Sequence, residues 1–357
     1  MRLSTRTPWY CLLGAVVLVP LVVGVMPLSG LRLTLNVFVQ AKLIVLCIAL
    51  ALTLASWALT ALREKTLYTG RALIPLGAFV VVVALTAAMA IDPRMAVFGD
   101  SEQGVGALVF LLCALLAYLT TQLVRNERTL AELTDAVIFT ATAIALIGLV
   151  QQLAGQDPLA VVPWGSPSTY LMWRGFGTIG NPDTYAAYLV LPGLLAVARV
   201  VRATDRNDRV KWGLCGFIVV MSLVIAQTRG PILGLVAGGL VYAILARIRT
   251  KKASASKRKP TSGASMSPWA IAALLAAAVG AGLLLLAVLD PTGAWRDFVV
   301  RFTSPQSLLA LGGRLPLWSS ALQILSAIRS SASGPIRSAW AGIPSGPSPI
   351  WQRAPDW

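Results

Sequence analysis

Apolar runs of about 20 residues, long enough to cross a hydrocarbon core, follow one another along most of this chain, separated by short polar breaks. The pattern predicts nine helical spans, near residues 9–29, 37–62, 72–91, 104–124, 134–154, 184–201, 212–228, 231–246 and 268–289. The seventh and eighth are short and joined tightly at Arg229-Gly-Pro231, as in a tilted or partly re-entrant hairpin. The first run is too long for the apolar core of a cleaved leader and reads as an uncleaved span. Residues 1–289 therefore form a transmembrane helical domain, 290–326 the start of an external segment, and 327–357 a tail rich in Ser, Pro, Gly, Arg and Trp without apolar periodicity. The fold class is an all-α polytopic membrane protein.

Composition agrees: 12% of the 357 residues are charged, against about 25% in soluble domains. The net charge of +16 is then a matter of topology and carries no signal for nucleic acid. With the N-terminus in the cytoplasm, the inside segments collect most of the arginines and lysines: Arg2 and Arg6; Arg63, Lys65 and Arg71; Arg125 and Arg128; Arg199, Arg202, Arg206, Arg209 and Lys211; and the run Arg247–Lys259. The outside segments hold Arg32, Arg94, Arg174, Arg229, Arg296, Arg301 and Arg314. Lys42 lies inside a span, from which it can snorkel. The basic cytoplasmic loop 247–267 reads as a solvated topogenic loop in preference to an anionic-lipid patch.

The acidic residues sit in loops or at span ends, which weakens an ion-coupled transporter. Cys11, Cys47, Cys113 and Cys215 lack metal-type spacing and read as packing residues. The chain contains no histidine, so the commonest metal ligand and neutral-pH base is missing. No metal and no cofactor are expected.

Four polar patches share the outer side: Asp92–Gly104; the glycine-punctuated stretch Met172–Ala187; Gln227-Thr-Arg-Gly230; and the region after Asp290 that includes Arg314. Asn181, Pro182 and Asp183 have the chemistry of a helix start, with a capping amide, proline at the first position and an acid in the first turn. That start serves equally as a span's beginning or as an anion site offering backbone N–H groups. A lone interfacial arginine reads as snorkelling. Arg174 and Arg229 sit beside spans, and several arginines converging on the outer face suit the oxygens of a lipid-linked diphosphate in the headgroup layer. Gly230, Gly234 and Gly238 form a small-residue face for helix packing.

The order Phe98-Gly-Asp-Ser-Glu-Gln-Gly104, Gly177-Thr-Ile-Gly-Asn-Pro-Asp183, Gln227-Thr-Arg-Gly230 and Gly313-Arg-Leu-Pro-Leu-Trp318 resembles the O-antigen ligase and O-antigen polymerase family of bacterial inner-membrane proteins. The resemblance covers about residues 70–325. It implies metal-independent transfer of a glycan from undecaprenyl diphosphate to a lipid or protein acceptor on the periplasmic face. Arg229 and Arg314 are implied to bind the diphosphate; Arg174 joins them by location. Asp183 stands where the family has a second asparagine. The family's periplasmic histidine base has no counterpart, and a shifted reading of Ser326–Ser338 can encode a family-like continuation. The expectation is a truncated or frameshifted member, altered near residue 327 and inactive as written. The alternatives are a polymerase of the same family and a non-catalytic exporter of lipid-linked glycan.

Overall fold

A computed structural model describes residues 6–24, 38–64, 67–71, 73–99, 105–154 and 174–255, with helical turns at 277, 279–284, 287–288, 319 and 322–323. The chain divides into two compact units, Met1–Thr292 and Gly293–Trp357. In the second, the described residues Ser319, Leu322 and Gln323 are helical. Arg314 and the tail 327–357 lie outside the described residues.

In the first unit the described residues form helices α1 (Thr7–Leu21), α2 (Val39–Glu64), α3 (Leu73–Ala88), α4 (Pro93–Phe98), α5 (Ala107–Leu123), α6 (Glu127–Ala154), α7 (Pro182–Arg202), α8 (Arg206–Ile225) and α9 (Arg229–Ala255). No strand occurs among them. Three stretches are long and apolar enough to cross a membrane: Val39–Arg63, Glu127–Gln152 and Pro182–Arg202. Shorter apolar helices are Thr7–Leu21, Leu73–Ala88, Ala107–Leu123 and Arg229–Leu245. Rows of exposed apolar side chains, such as Ile44, Ile48 and Leu52 on α2 or Leu233, Val236 and Leu240 on α9, support membrane association. Within the ninth expected span, 268–289, the described residues 277, 279–284 and 287–288 are helical.

Several helices start earlier than apolar periodicity alone predicts, because polar caps precede the apolar runs. Helix α6 begins at Glu127, where the Asn126 side chain accepts from Thr129 N at 2.8 Å. Helix α8 begins at Arg206, with Asp205 accepting from Asn207 N. Within the first outer patch, Asp92 caps Met95 N and Pro93 occupies the first position, so this expected loop contains α4. Helix α9 continues to Ala255, so the first part of the basic loop is helical.

One core joins α6, α7 and α8 through Ala141, Ile144, Ala145, Tyr185, Ala186, Leu189, Val219 and Leu223. Its alanines let the helices approach closely, and Gly216 faces Ala196 where an added Cβ would stand 3.2 Å from the alanine Cβ. A second core joins α1, α2 and α5 through Trp9, Leu12, Leu46, Leu50 and Leu119. Helix α9 packs chiefly on α7. Of its three aligned glycines, Gly234 and Gly238 face Val190 and Leu194, whereas a Cβ added at Gly230 would meet nothing within 4 Å among the described residues. The small-residue face is thus used over its later two positions.

Candidate functional site at one end of the bundle

The ends of α1, α6 and α8 and the starts of α2, α7 and α9 meet at one end of the bundle, around the loop 174–181. Backbone geometry shapes this loop first. Gly177 (φ 55°) and Gly180 (φ 89°) both adopt the left-handed region, which is costly for residues with a Cβ. The Gln151 side chain, 5% exposed, then fastens the loop to α6. Its Oε1 accepts from Phe176 N at 3.2 Å and Gly177 N at 2.8 Å, and its Nε2 donates to Gly177 O at 3.1 Å. On the other side Thr178 Oγ1 donates to Pro20 O at 2.6 Å, and Lys42 Nζ donates to Thr178 O at 2.7 Å and to Val22 O. Phe38 packs edge-on against Phe176 with centroids 5.9 Å apart.

Arg174 joins two of the patches that the sequence singles out. Its side chain is 9% exposed; Nε donates to Ala226 O at 2.9 Å, and Nη2 donates to Asp183 Oδ1 at 3.0 Å and to Gln227 O at 3.5 Å. Burying a guanidinium is tolerable when it is paired and hydrogen-bonded, and here the start of α7 and the end of α8 supply the partners. Arg174 is therefore engaged with the protein itself, tying the α8–α9 turn to the start of α7.

The start of α7 is a satisfied cap. Asn181 Oδ1 accepts from Asp183 N at 2.8 Å and Thr184 N at 3.3 Å, and Pro182 has no N–H to offer. The N–H groups that an anion would need are taken, so the geometry favours the plain helix start. The Asp183 carboxylate, 70% exposed, answers Arg174.

The turn between α8 and α9 is the unusual element. Gln227 has φ 55°, uncommon outside glycine and a sign of local strain. Beside it, Gln227 Nε2 and Thr228 Oγ1 are buried without a hydrogen-bond partner among the described residues, and Thr228 is 4% exposed. Leaving a buried polar atom unsatisfied costs about 1–3 kcal/mol, so two adjacent instances mark a place where the fold has given up stability. Arg229 follows directly as the first residue of α9. An amide N–H, a hydroxyl and a guanidinium on three consecutive residues make a donor-rich turn suited to anionic or hydroxyl-bearing ligands.

The sequence reading misses three residues of this end. Lys42 turns inward onto carbonyls where snorkelling is expected, Gln151 is a span-end glutamine with no motif around it, and Thr178 sits mid-loop. Their common signal is a polar residue at the edge of an apolar run. The first patch lies apart: α4 packs on α3 and α5, and residues 100–104 are outside the described set. No group of three or more metal-ligating side chains occurs among the described residues. No protein-family model, no curated protein and no solved structure matches this chain.

Proposed function

We propose that the chain is a multi-pass protein of the bacterial inner membrane, with about nine spans and a cytoplasmic N-terminus, that transfers a glycan from an undecaprenyl-diphosphate carrier to a lipid or protein acceptor on the periplasmic face. The observation that carries the reading is the Gln227–Arg229 turn, with its buried, unsatisfied amide and hydroxyl beside an arginine. It lies at the bundle end opposite the loops that hold most of the basic residues, and such loops belong on the cytoplasmic side. An arginine-bearing turn on the other side needs a reason, and a diphosphate supplies one.

In this reading Arg229 holds the diphosphate and stabilises the charge that grows as the glycosyl C1–O bond breaks. The acceptor oxygen bonds to C1 while its proton passes to a base. Arg174 acts through the turn, holding Gln227 O and Ala226 O in position. The base is unassigned, because the chain has no histidine, and the 357-residue form is expected to bind the donor better than it turns it over.

The test is binding of radiolabelled undecaprenyl diphosphate to the purified chain in detergent. Saturable binding is expected, weakened about tenfold or more by Arg229→Ala, as for loss of a charge-assisted bidentate contact. Arg128→Ala at the opposite end should leave it unchanged. Absence of saturable binding, or equal loss in both variants, would overturn the reading. With a glycan-loaded donor, one transfer to an anchor identifies a ligase and a ladder of repeats a polymerase. Uptake into vesicles without a new glycosidic bond identifies an exporter.

A further inference from the structure

The start of α9 is left open in a way that the start of α7 is not. Thr228 precedes Arg229, the first residue of α9, and so holds the position from which a threonine hydroxyl ordinarily accepts from N–H groups of the first turn. Its Oγ1 is buried and has no hydrogen-bond partner among the described residues. The N–H of Gly230 is therefore not capped by it, and Pro231 has no N–H to cap. One residue earlier, Gln227 Nε2 is a further buried donor without a partner among the described residues. We infer that this uncapped helix start is an oxyanion cradle, in which Gly230 N–H, the Thr228 hydroxyl and the Gln227 amide hold the oxygens of one phosphate group. The cradle rests on the glycan-transfer reading for the identity of its ligand, a phosphate carried on a lipid.

Among the described residues, nothing in the protein itself asks for glycine at 230. Its φ is not in the left-handed region, unlike those of Gly177 and Gly180. Packing does not ask for it either. A Cβ added at Gly238 would stand 2.5 Å from Leu194 Cδ1, whereas one added at Gly230 would meet nothing within 4 Å among the described residues. Glycine in a helix costs stability relative to alanine. A glycine where alanine would fit leaves room for another molecule to approach the backbone. Thr228, 4% exposed, poses the same question: valine would fill its place without burying an unpaired hydroxyl. Two positions close in sequence thus forgo stability, and both present donors at one helix start.

The chemistry of the donors selects an anion. Backbone N–H, hydroxyl and amide are neutral donors, and the partial positive charge of a helix start adds to them. A single hydroxyl group could match few of them, whereas a phosphate brings several acceptor oxygens and the charge that the dipole favours. The Arg229 guanidinium has interactions of its own, and the cradle asks nothing of it. Arg174 holds the turn in place by donating to Ala226 O and Gln227 O, so the donors are positioned before a ligand arrives. Gly230 is exposed, which gives the phosphate a way in.

The test measures binding of radiolabelled inorganic diphosphate and, separately, of radiolabelled undecaprenyl diphosphate to the purified whole chain in detergent, alongside thermal unfolding. Gly230→Ala and Thr228→Val should each weaken binding about tenfold, the scale of one hydrogen bond to a charged group, while melting at or above the wild-type temperature. The control Gly234→Ala, whose added Cβ would stand 4.0 Å from Val190, should bind as the wild type does. A purely structural role would lower melting and binding together, so earlier melting of both variants would overturn the proposal. Undecaprenyl diphosphate bound equally by the wild type and both variants removes the cradle and leaves the glycan-transfer reading standing. Inorganic diphosphate bound in a way that both variants weaken, with no binding of the lipid-linked form, keeps the cradle and removes that reading. No saturable binding of either probe removes both. Thr228→Val decides even if Gly230→Ala does not purify.

Discussion

The two ends of the bundle hold their cations in opposite ways. At the end where α5 passes to α6 and α7 to α8, charges meet charges and rings near the surface. Arg199 binds Asp135 through Nε and Nη2 and lies 5.0 Å from the centre of the Trp212 ring, while Lys211 lies 4.5 Å from it and bonds Asp208. At the end around residues 174–181, Arg174 and Lys42 are turned inward and spend their donors largely on backbone carbonyls. The first end pairs Arg199 and Lys211 with carboxylates and a ring within reach of water; at the second, Arg174 and Lys42 bind the backbone of the frame itself. Basic residues of equal count in a sequence can thus differ greatly in structural weight, according to whether water can replace their partners.

This contrast can be broken by measurement. The largest effect is expected for Arg174→Ala, which leaves Ala226 O, Gln227 O and Asp183 without their donor and should cost about 3 kcal/mol or more, read by denaturant unfolding in detergent. Next comes Gln151→Leu, which removes all three bonds to Phe176 and Gly177 in exchange for an apolar group of similar size. A loss of about 2 kcal/mol is expected, together with earlier proteolysis within 174–181. Asp183→Asn should cost under about 1 kcal/mol, since its carboxylate is exposed and an amide oxygen can still accept from Arg174. If it costs as much as Arg174→Ala, the ion pair and not the carbonyl bonds holds the turn, and the contrast between the ends narrows. The smallest effect, about 0.5 kcal/mol, belongs to Lys211→Ala at the basic end, which loses an exposed ion pair and a ring contact.

Much of the architecture was legible as apolar runs, because a helix that meets lipid or a packed neighbour must be apolar over most of its length. Asn181–Asp183 was legible too: cap, proline and acid are local signals read by local geometry. The helix starts at Glu127 and Arg206 were obscured because Asn126 and Asp205 cap from within polar stretches, outside any hydrophobic window. The role of Arg174 was hidden for a different reason. Whether a guanidinium reaches a ligand or a carbonyl 52 residues away depends on how α8 packs against α7, which no spacing encodes. The partners of Lys42 are hidden on the same ground: Val22 and Thr178 come from segments distant in sequence. The Gln227–Arg229 turn was found by its residues, but its strain and unsatisfied atoms emerge only from the fold.

One feature of the core bears on how the molecule can move. Helix α6 is fastened near one end by Gln151 to the loop before α7, and near the other by Asp135 to Arg199 of α7. Between them Ser222 of α8 donates to Ala145 O at 3.0 Å and shares a hydrogen bond with Tyr185 of α7. Fastened at three heights, α6 behaves as the spine of a truss: sliding it along its axis breaks side-chain bonds at every level. Helix α3 has no buried residue of its own and, among the described residues, no such bracing. A shift of α3 against α4 and α5, on which it rests, would therefore break far less than a shift of α6 against α7 and α8.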